Sequence, residues 1–168
     1  MPRVATPKHH VTVGYRAGKS VGCCLDPVRD ELFSATAGNG MLLNGEPVSV
    51  STTREISEAL VAVSFAANIN DESLEVCRFA RALHDCRAVR RIGSAALNLC
   101  YLASGRLDAY WASSAKPWDV AAGILIVQEA GGQVTAIDGG DFQIDEPVIM
   151  ATATGPLHAS LLELFRAS

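Results

Sequence analysis

Up to about residue 50 apolar side chains tend to recur at every second position, whereas beyond about residue 70 they recur at every third or fourth. The first pattern predicts strands and the second helices packed on a sheet. Val11-Thr12-Val13-Gly14-Tyr15 alternates, Ala17-Gly18-Lys19 turns, and Val21 to Leu25 returns, which predicts a β-hairpin. Asp26-Pro27-Val28-Arg29-Asp30 is the next turn. Glu31 to Ala37 follows as a third strand, Gly38-Asn39-Gly40 turns, and Met41-Leu42-Leu43 pairs back. Asn44-Gly45 is a strong two-residue turn before Glu46-Pro47-Val48. Together these segments predict one antiparallel meander.

Beyond Ser51 the texture changes. Leu60 to Ser64 is a short, nearly continuous apolar strand, expected at the centre of a sheet. From Asp71 onward, Val76, Phe79, Ala80 and Leu83 recur at helical spacing and predict an amphipathic helix lying on that sheet. Ala88 to Arg91 is a strand. Ser94 can cap a helix over Ala95 to Ser104, and Gly105 is placed to end it. After a short strand from Leu107 to Trp111, Lys116-Pro117-Trp118-Asp119 opens a helix running to Ala130, closed by Gly131-Gly132. That helix is apolar nearly all round, so it belongs between layers. Gln133 to Ile137 and Val148 to Ala151 are strands. Thr154, Gly155 and Pro156 start a last helix with Leu157, Leu161, Leu164 and Phe165 on one face. Residues 1–10, which include Pro2, Pro7, His9 and His10, are expected to be a loose arm. Residues 11–168 are expected to form a single layered domain of α+β class, an antiparallel sheet followed by a mixed sheet-and-helix half.

Composition narrows the function classes. The 168 residues are enough for a real core, and 49% hydrophobic with 19% charged residues is ordinary for a globular chain. A net charge of −4 gives no electrostatic footprint for nucleic acid or an anionic membrane. No window reaches the ~18 apolar residues of a membrane span, and Met1-Pro2-Arg3 leads into no signal core. The five cysteines lack C-x-x-C spacing, and Cys23 and Cys24 point to opposite faces of a strand. Reduced thiols in the cytoplasm are the expectation.

Few residues carry candidate chemistry. Asp119 lies in the first turn of its helix, where aspartate favours free N–H groups and the positive end of the dipole. A cap and a metal or catalytic role are both open to it. The start at Gly93-Ser94-Ala95 offers free N–H groups to an anion or a hydroxyl, or is a plain capped helix. The four histidines, His9, His10, His84 and His158, are placed in the arm or on helices beside charged neighbours. No nucleophile elbow, phosphate-cradling loop or zinc spacing is present.

Three segments carry a resemblance: Arg91-Ile92-Gly93-Ser94-Ala95-Ala96-Leu97-Asn98, Ser104-Gly105-Arg106-Leu107-Asp108-Ala109-Tyr110, and Trp118 to Gly132. In order and spacing they resemble the C-terminal signature of the inositol monophosphatase family. The strands before them are similar to the family's sheet, where D-P-x-x-x-E-L-F and a glycine turn lead into L-N-G. The resemblance implies that Asp119 is a magnesium ligand beside the phosphate, and that Gly93, Ser94 and Ala95 face the organic part of the substrate. Inositol-cleaving members carry a glutamate at the position of Ala112, which weakens inositol phosphate as substrate and leaves other sugar or alcohol phosphates open.

The family's remaining ligands, an N-terminal acidic pair and a D-P-x-D-G-T segment, have no counterpart here, so the chain resembles a truncated form of the fold. Asp26-Pro27-Val28-Arg29 only superficially matches D-P-x-D, because Arg29 stands in place of the second carboxylate. The expectation is therefore a magnesium-dependent phosphomonoesterase whose Mg2+ site is incomplete in this chain, inactive alone. Its partners would be a small phosphorylated alcohol or sugar and further copies of itself, with no nucleic acid and no membrane. The alternative is a non-catalytic remnant that binds a ligand or partner.

Overall fold

The computed structural model describes residues 10–16, 19–65, 70, 73–146 and 148–166. Residues 1–9 of the arm, the tip of the first hairpin and the pair Asp71-Glu72 lie outside them, while His10, expected as the last residue of the arm, opens the first strand. Five strands form the first sheet in sequence order: β1 (His10–Arg16), β2 (Lys19–Asp26), β3 (Glu31–Thr36), β4 (Met41–Leu43) and β5 (Glu46–Val48). All neighbours are antiparallel, as alternation predicts. The β4–β5 turn takes positive φ at both Asn44 (50°) and Gly45 (86°), the conformation a two-residue hairpin of the right twist needs.

The second sheet has the order β7-β6-β8-β10-β9, with β6 (Leu60–Ser64), β7 (Ala88–Arg90), β8 (Ala109–Ala112), β9 (Gln133–Ala136) and β10 (Ile149–Thr152). Strands β7 and β8 both run parallel to β6, while β10 is antiparallel to β8 and β9. The interior place of β6 matches its continuous apolar run.

Helices α2 (Ala95–Ala103) and α3 (Pro117–Glu129) fill the space between the sheets. Val120, Ala122, Gly123, Ile126 and Val127 of α3 are buried, as expected of a helix without a wet face. Its approach is close on both sides. A Cβ at Gly123 would come within 2.6 Å of Leu99 on α2, and one at Gly22 on β2 within 3.1 Å of the Ala122 carbonyl oxygen. Helices α1 (Leu74–Asp85) and α4 (Gly155–Arg166) cover the outer face of the second sheet. There Trp111 meets Phe165 edge-on at 5.0 Å. The layers run sheet, helices, sheet, helices, with one apolar cluster on each side of the second sheet.

The face of α1 differs from expectation. Ala82 is its buried residue, with Val76 and Phe79 half-buried, whereas Ala80 and Leu83 face solvent, Leu83 at 54% exposure. The helix is rotated because its contacts are with α4 as well as β7. Arg81 donates to the Leu164 carbonyl at 3.1 Å, and Arg78 lies over the Phe165 ring. Two basic side chains with long apolar stems thus take positions on the packed side. No helix among the described residues is long and apolar enough to cross a membrane.

Candidate functional site

Parallel strands end on the same edge, so β6, β7 and β8 end, and the loops after β7 and β8 gather, at one side of the second sheet. In open α/β sheets this carboxyl edge is where ligands bind. The loop after β7 leads into α2 and the loop after β8 into α3, so two helix N-termini meet this edge. Both present free N–H groups and positive dipole ends.

At the start of α2, Gly93 takes φ of 100° and Ser94 caps the helix, its hydroxyl oxygen accepting from the Leu97 N–H at 3.2 Å. Gly93 is exposed, and Ser94 and Ala95 are half-buried. The turn is held from behind, where Arg91 lies over the Phe65 ring at 5.5 Å and Phe65 packs edge-on against Phe79. At the start of α3, an Asp119 side-chain oxygen accepts from the Lys116 N–H at 3.2 Å, and the Asp119 N–H donates to the Lys116 carbonyl at 2.9 Å. The cap is therefore real, and it engages one of the two carboxylate oxygens. Beside Asp119, Trp118 is 72% exposed, a large apolar surface on the rim of the edge. Ala112, in register with Ser64, is fully buried at the end of β8 and presents no surface at this edge.

Beneath these turns lies a polar group that sequence reasoning missed. The Tyr110 hydroxyl donates to the Ser64 hydroxyl at 3.1 Å, and Asn98 stands next to the phenol, wholly buried. Burial pushes the Tyr110 phenol up to about 12; the hydroxyl of Ser64 and the amide of Asn98 work against that, and the charge of Asp119 adds to it. The available signal was Asn98 itself, the lone strongly polar residue in an otherwise apolar helix.

Asp26 is not placed as a ligand. It is 3% exposed and accepts from the Val28 N–H at 3.0 Å, the Tyr101 hydroxyl at 3.0 Å, and the Arg29 backbone and guanidinium at 3.4 Å each. Burial alone would raise its carboxyl, but these donors outweigh burial and hold it below the ordinary carboxylate value. His158 corrects the expectation of charged surroundings. It is 3% exposed, with its ring nitrogens 3.0 Å from the Thr135 hydroxyl and 2.9 Å from the Thr152 hydroxyl. Burial lowers its pKa. It belongs to the packing of α4 on β9 and β10, and its neighbours there are hydroxyls.

Magnesium requires about six oxygens in near-octahedral array. Among the described residues no three His, Cys, Asp or Glu side chains gather where they could hold a metal ion. Asp119 offers one carboxylate, so the described residues do not by themselves make a magnesium site.

The profile of the inositol monophosphatase family matches residues 10–168. The chain is 43% identical over 132 residues to the chloroplastic phosphatase IMPL1 of Arabidopsis thaliana, covering 78% of this chain and 35% of that protein. It is 37% identical over 152 residues to the Nus factor SuhB of Vibrio cholerae, covering 90% and 57%. The structure of inositol monophosphatase from Anabaena superposes with a TM-score of 0.81 at 40% identity, covering 88% of this chain and 58% of that one. The chain thus spans from about a third to a little over half of the length of these relatives.

Proposed function

The chain belongs to the inositol monophosphatase family, and from that premise we propose that it forms the substrate-side half of a magnesium-dependent phosphomonoesterase site for an inositol, sugar or related alcohol phosphate. The observation that carries this reading is the convergence of two helix N-termini and Asp119 on the carboxyl edge of β7, β6 and β8. The Gly93-Ser94-Ala95 turn would meet the organic hydroxyls, since backbone N–H groups at a helix start suit oxygen acceptors. Asp119 would give one oxygen to the metal, whose chemistry is to activate water and stabilise the leaving oxygen. Ala112 offers no polar group to a ring hydroxyl, which favours a substrate other than inositol phosphate.

The described residues leave the metal short of ligands, so the 168-residue chain alone is expected to release phosphate at background rate with millimolar magnesium. The test is phosphate release from a panel of sugar and inositol phosphates. The chain is assayed alone and joined to a family segment carrying the acidic pair and D-P-x-D-G-T. Turnover in the joined form, cut steeply by Asp119→Asn, supports the reading. Magnesium-dependent turnover by the chain alone, abolished by Asp119→Asn, would overturn the count of ligands. Absence of turnover in both forms, with a partner retained, would favour the second reading, a non-catalytic binding module; the Nus factor name of the Vibrio relative supports keeping it. Exposed Leu74 and Leu83 on α1 and Val28 and Leu32 at the β2–β3 turn support an oligomer. A clean monomer at micromolar concentration in sedimentation would count against that. Five free thiols among the described residues support a reducing compartment such as the cytoplasm.

A further inference from the structure

Asn98 is hard to explain by packing. It is wholly buried on a helix otherwise built of alanines, leucines, Cys100 and Tyr101, and its amide faces the Tyr110 phenol, yet neither its nitrogen nor its carbonyl oxygen makes a well-formed hydrogen bond. An orphaned buried polar group costs about 1–3 kcal/mol, and a leucine, with the same number and branching of side-chain heavy atoms, would remove that penalty. Such a residue asks for a role beyond stability. Its position supplies one. The Asn98 N–H donates to the Ser94 carbonyl at 2.9 Å, so its side chain lies one turn below the cap on the same face. Tyr110 alternates with Trp111 along β8, and Ser64 is in register two residues further on at Ala112. Ser64, Tyr110 and Asn98 therefore join the ends of two parallel strands to the first turns of α2.

We propose that Asn98 is a positioning residue: with Tyr110 and Ser64 it forms a buried polar floor that fixes the first turn of α2 against the carboxyl ends of β6 and β8. The distance between the Gly93-Ser94-Ala95 turn and Asp119 is then set by this floor. This role rests on the proposed phosphomonoesterase site, because that spacing matters only if a ligand bridges the two turns. The floor acts through the backbone of α2 and does not touch the ligand.

The test uses the full 168-residue chain with Asn98→Leu and, as a milder second variant, Tyr110→Phe. Three quantities are read: the thermal midpoint and amide exchange at Leu97 and position 98 in the chain itself, and, in the form joined to the family segment with the acidic pair and D-P-x-D-G-T, binding of manganese(II) with the best substrate of the phosphate panel. The expected result for Asn98→Leu is an unchanged or higher midpoint, at least tenfold faster exchange in the first turn of α2, and at least tenfold weaker binding. Tyr110→Phe should move exchange and binding in the same direction. A higher midpoint with exchange and binding unchanged overturns the proposal, leaving Asn98 a packing residue. A lower midpoint with exchange faster throughout the chain also overturns it, since the amide is then an ordinary structural partner. If Asn98→Leu does not fold, Tyr110→Phe decides by the same readings. Should the joined wild-type form bind neither manganese(II) nor the phosphate ester, the functional reading fails, while exchange in the first turn of α2 still decides the positioning role.

Discussion

Asp26 shows how one carboxylate can look catalytic in sequence and be structural in space. Its donors come from the turn after β2 and from Tyr101 on α2, so it ties the first sheet to the middle layer. Its pKa is depressed in the folded chain, and an unfolded aspartate titrates near about 3.9. The stability it contributes is therefore complete above about pH 4 and is lost as pH falls through the lower folded value. Asp26→Asn should cost about 1–3 kcal/mol at neutral pH, with the difference from wild type shrinking in urea titrations below about pH 4. His158 works at higher pH. Its folded pKa is depressed by burial, so between that value and the unfolded value of about 6.5 the unfolded chain binds more protons. Stability should rise with pH across this window and flatten above about 6.5, and the rise should be smaller in His158→Gln. A proton NMR titration placing His158 above 6.5 would refute the assignment.

At the scale of elements, α3 is held by what its neighbours lack. Leu99 approaches Gly123 through its own Cβ, at 2.7 Å from where a glycine Cβ would be built, so the contact has no flexible end to swing aside. Gly123→Ala should therefore force α2 and α3 apart and lower stability by about 1–3 kcal/mol, the usual cost of overpacking. It should also disturb the spacing of Ser94 and Asp119, which ride on these helices. An unchanged thermal midpoint would show that the layers have slack. The far end of α3 has a different tie. The Glu129 carboxylate accepts from the Gly38, Asn39 and Gly40 N–H groups at 2.8, 3.1 and 2.8 Å, clamping the β3–β4 turn. Charge-assisted bonds of this kind lose strength when the charge is removed. Glu129→Gln should speed amide exchange at those three residues by about tenfold, equivalent to about 1.4 kcal/mol.

Across the whole molecule, the second sheet carries a core on each face, so the layers share strands and should unfold together. Asp108 is part of this joint. Its carboxylate accepts from the Ser51 hydroxyl and the Leu60 N–H, its N–H donates to the Leu60 carbonyl, and its carbonyl accepts from the Ala153 N–H. One side chain and its backbone thus link the segment leaving the first sheet to β6, β8 and β10. Thermal unfolding followed by tyrosine and tryptophan signals should give one coincident transition. Two separated transitions would mean that the first sheet is an independent unit.

The residues alone determined the meander, the caps and the buried character of α3. Each depends on local chemistry: period-two alternation, Asn44-Gly45 in a tight turn, Ser94 and Gly105 at the ends of α2, and an apolar surface that must leave water. The family was also legible, because its three segments lie close together in sequence. Tertiary structure decided what depends on neighbours remote in the chain. The face of α1 turned with α4, which lies far ahead in sequence, so Leu83 was left exposed. His158 became a buried residue among hydroxyls because β9 and β10 meet α4 there. Asn98 and Tyr110 acquired their surroundings from partners on other elements, more than ten residues away in the chain, and Asp26 gained Tyr101 beside the local donors of its own turn. A side chain's hydrogen bonds and charge environment are fixed by who packs against it, and no periodicity in one segment records its partner in another.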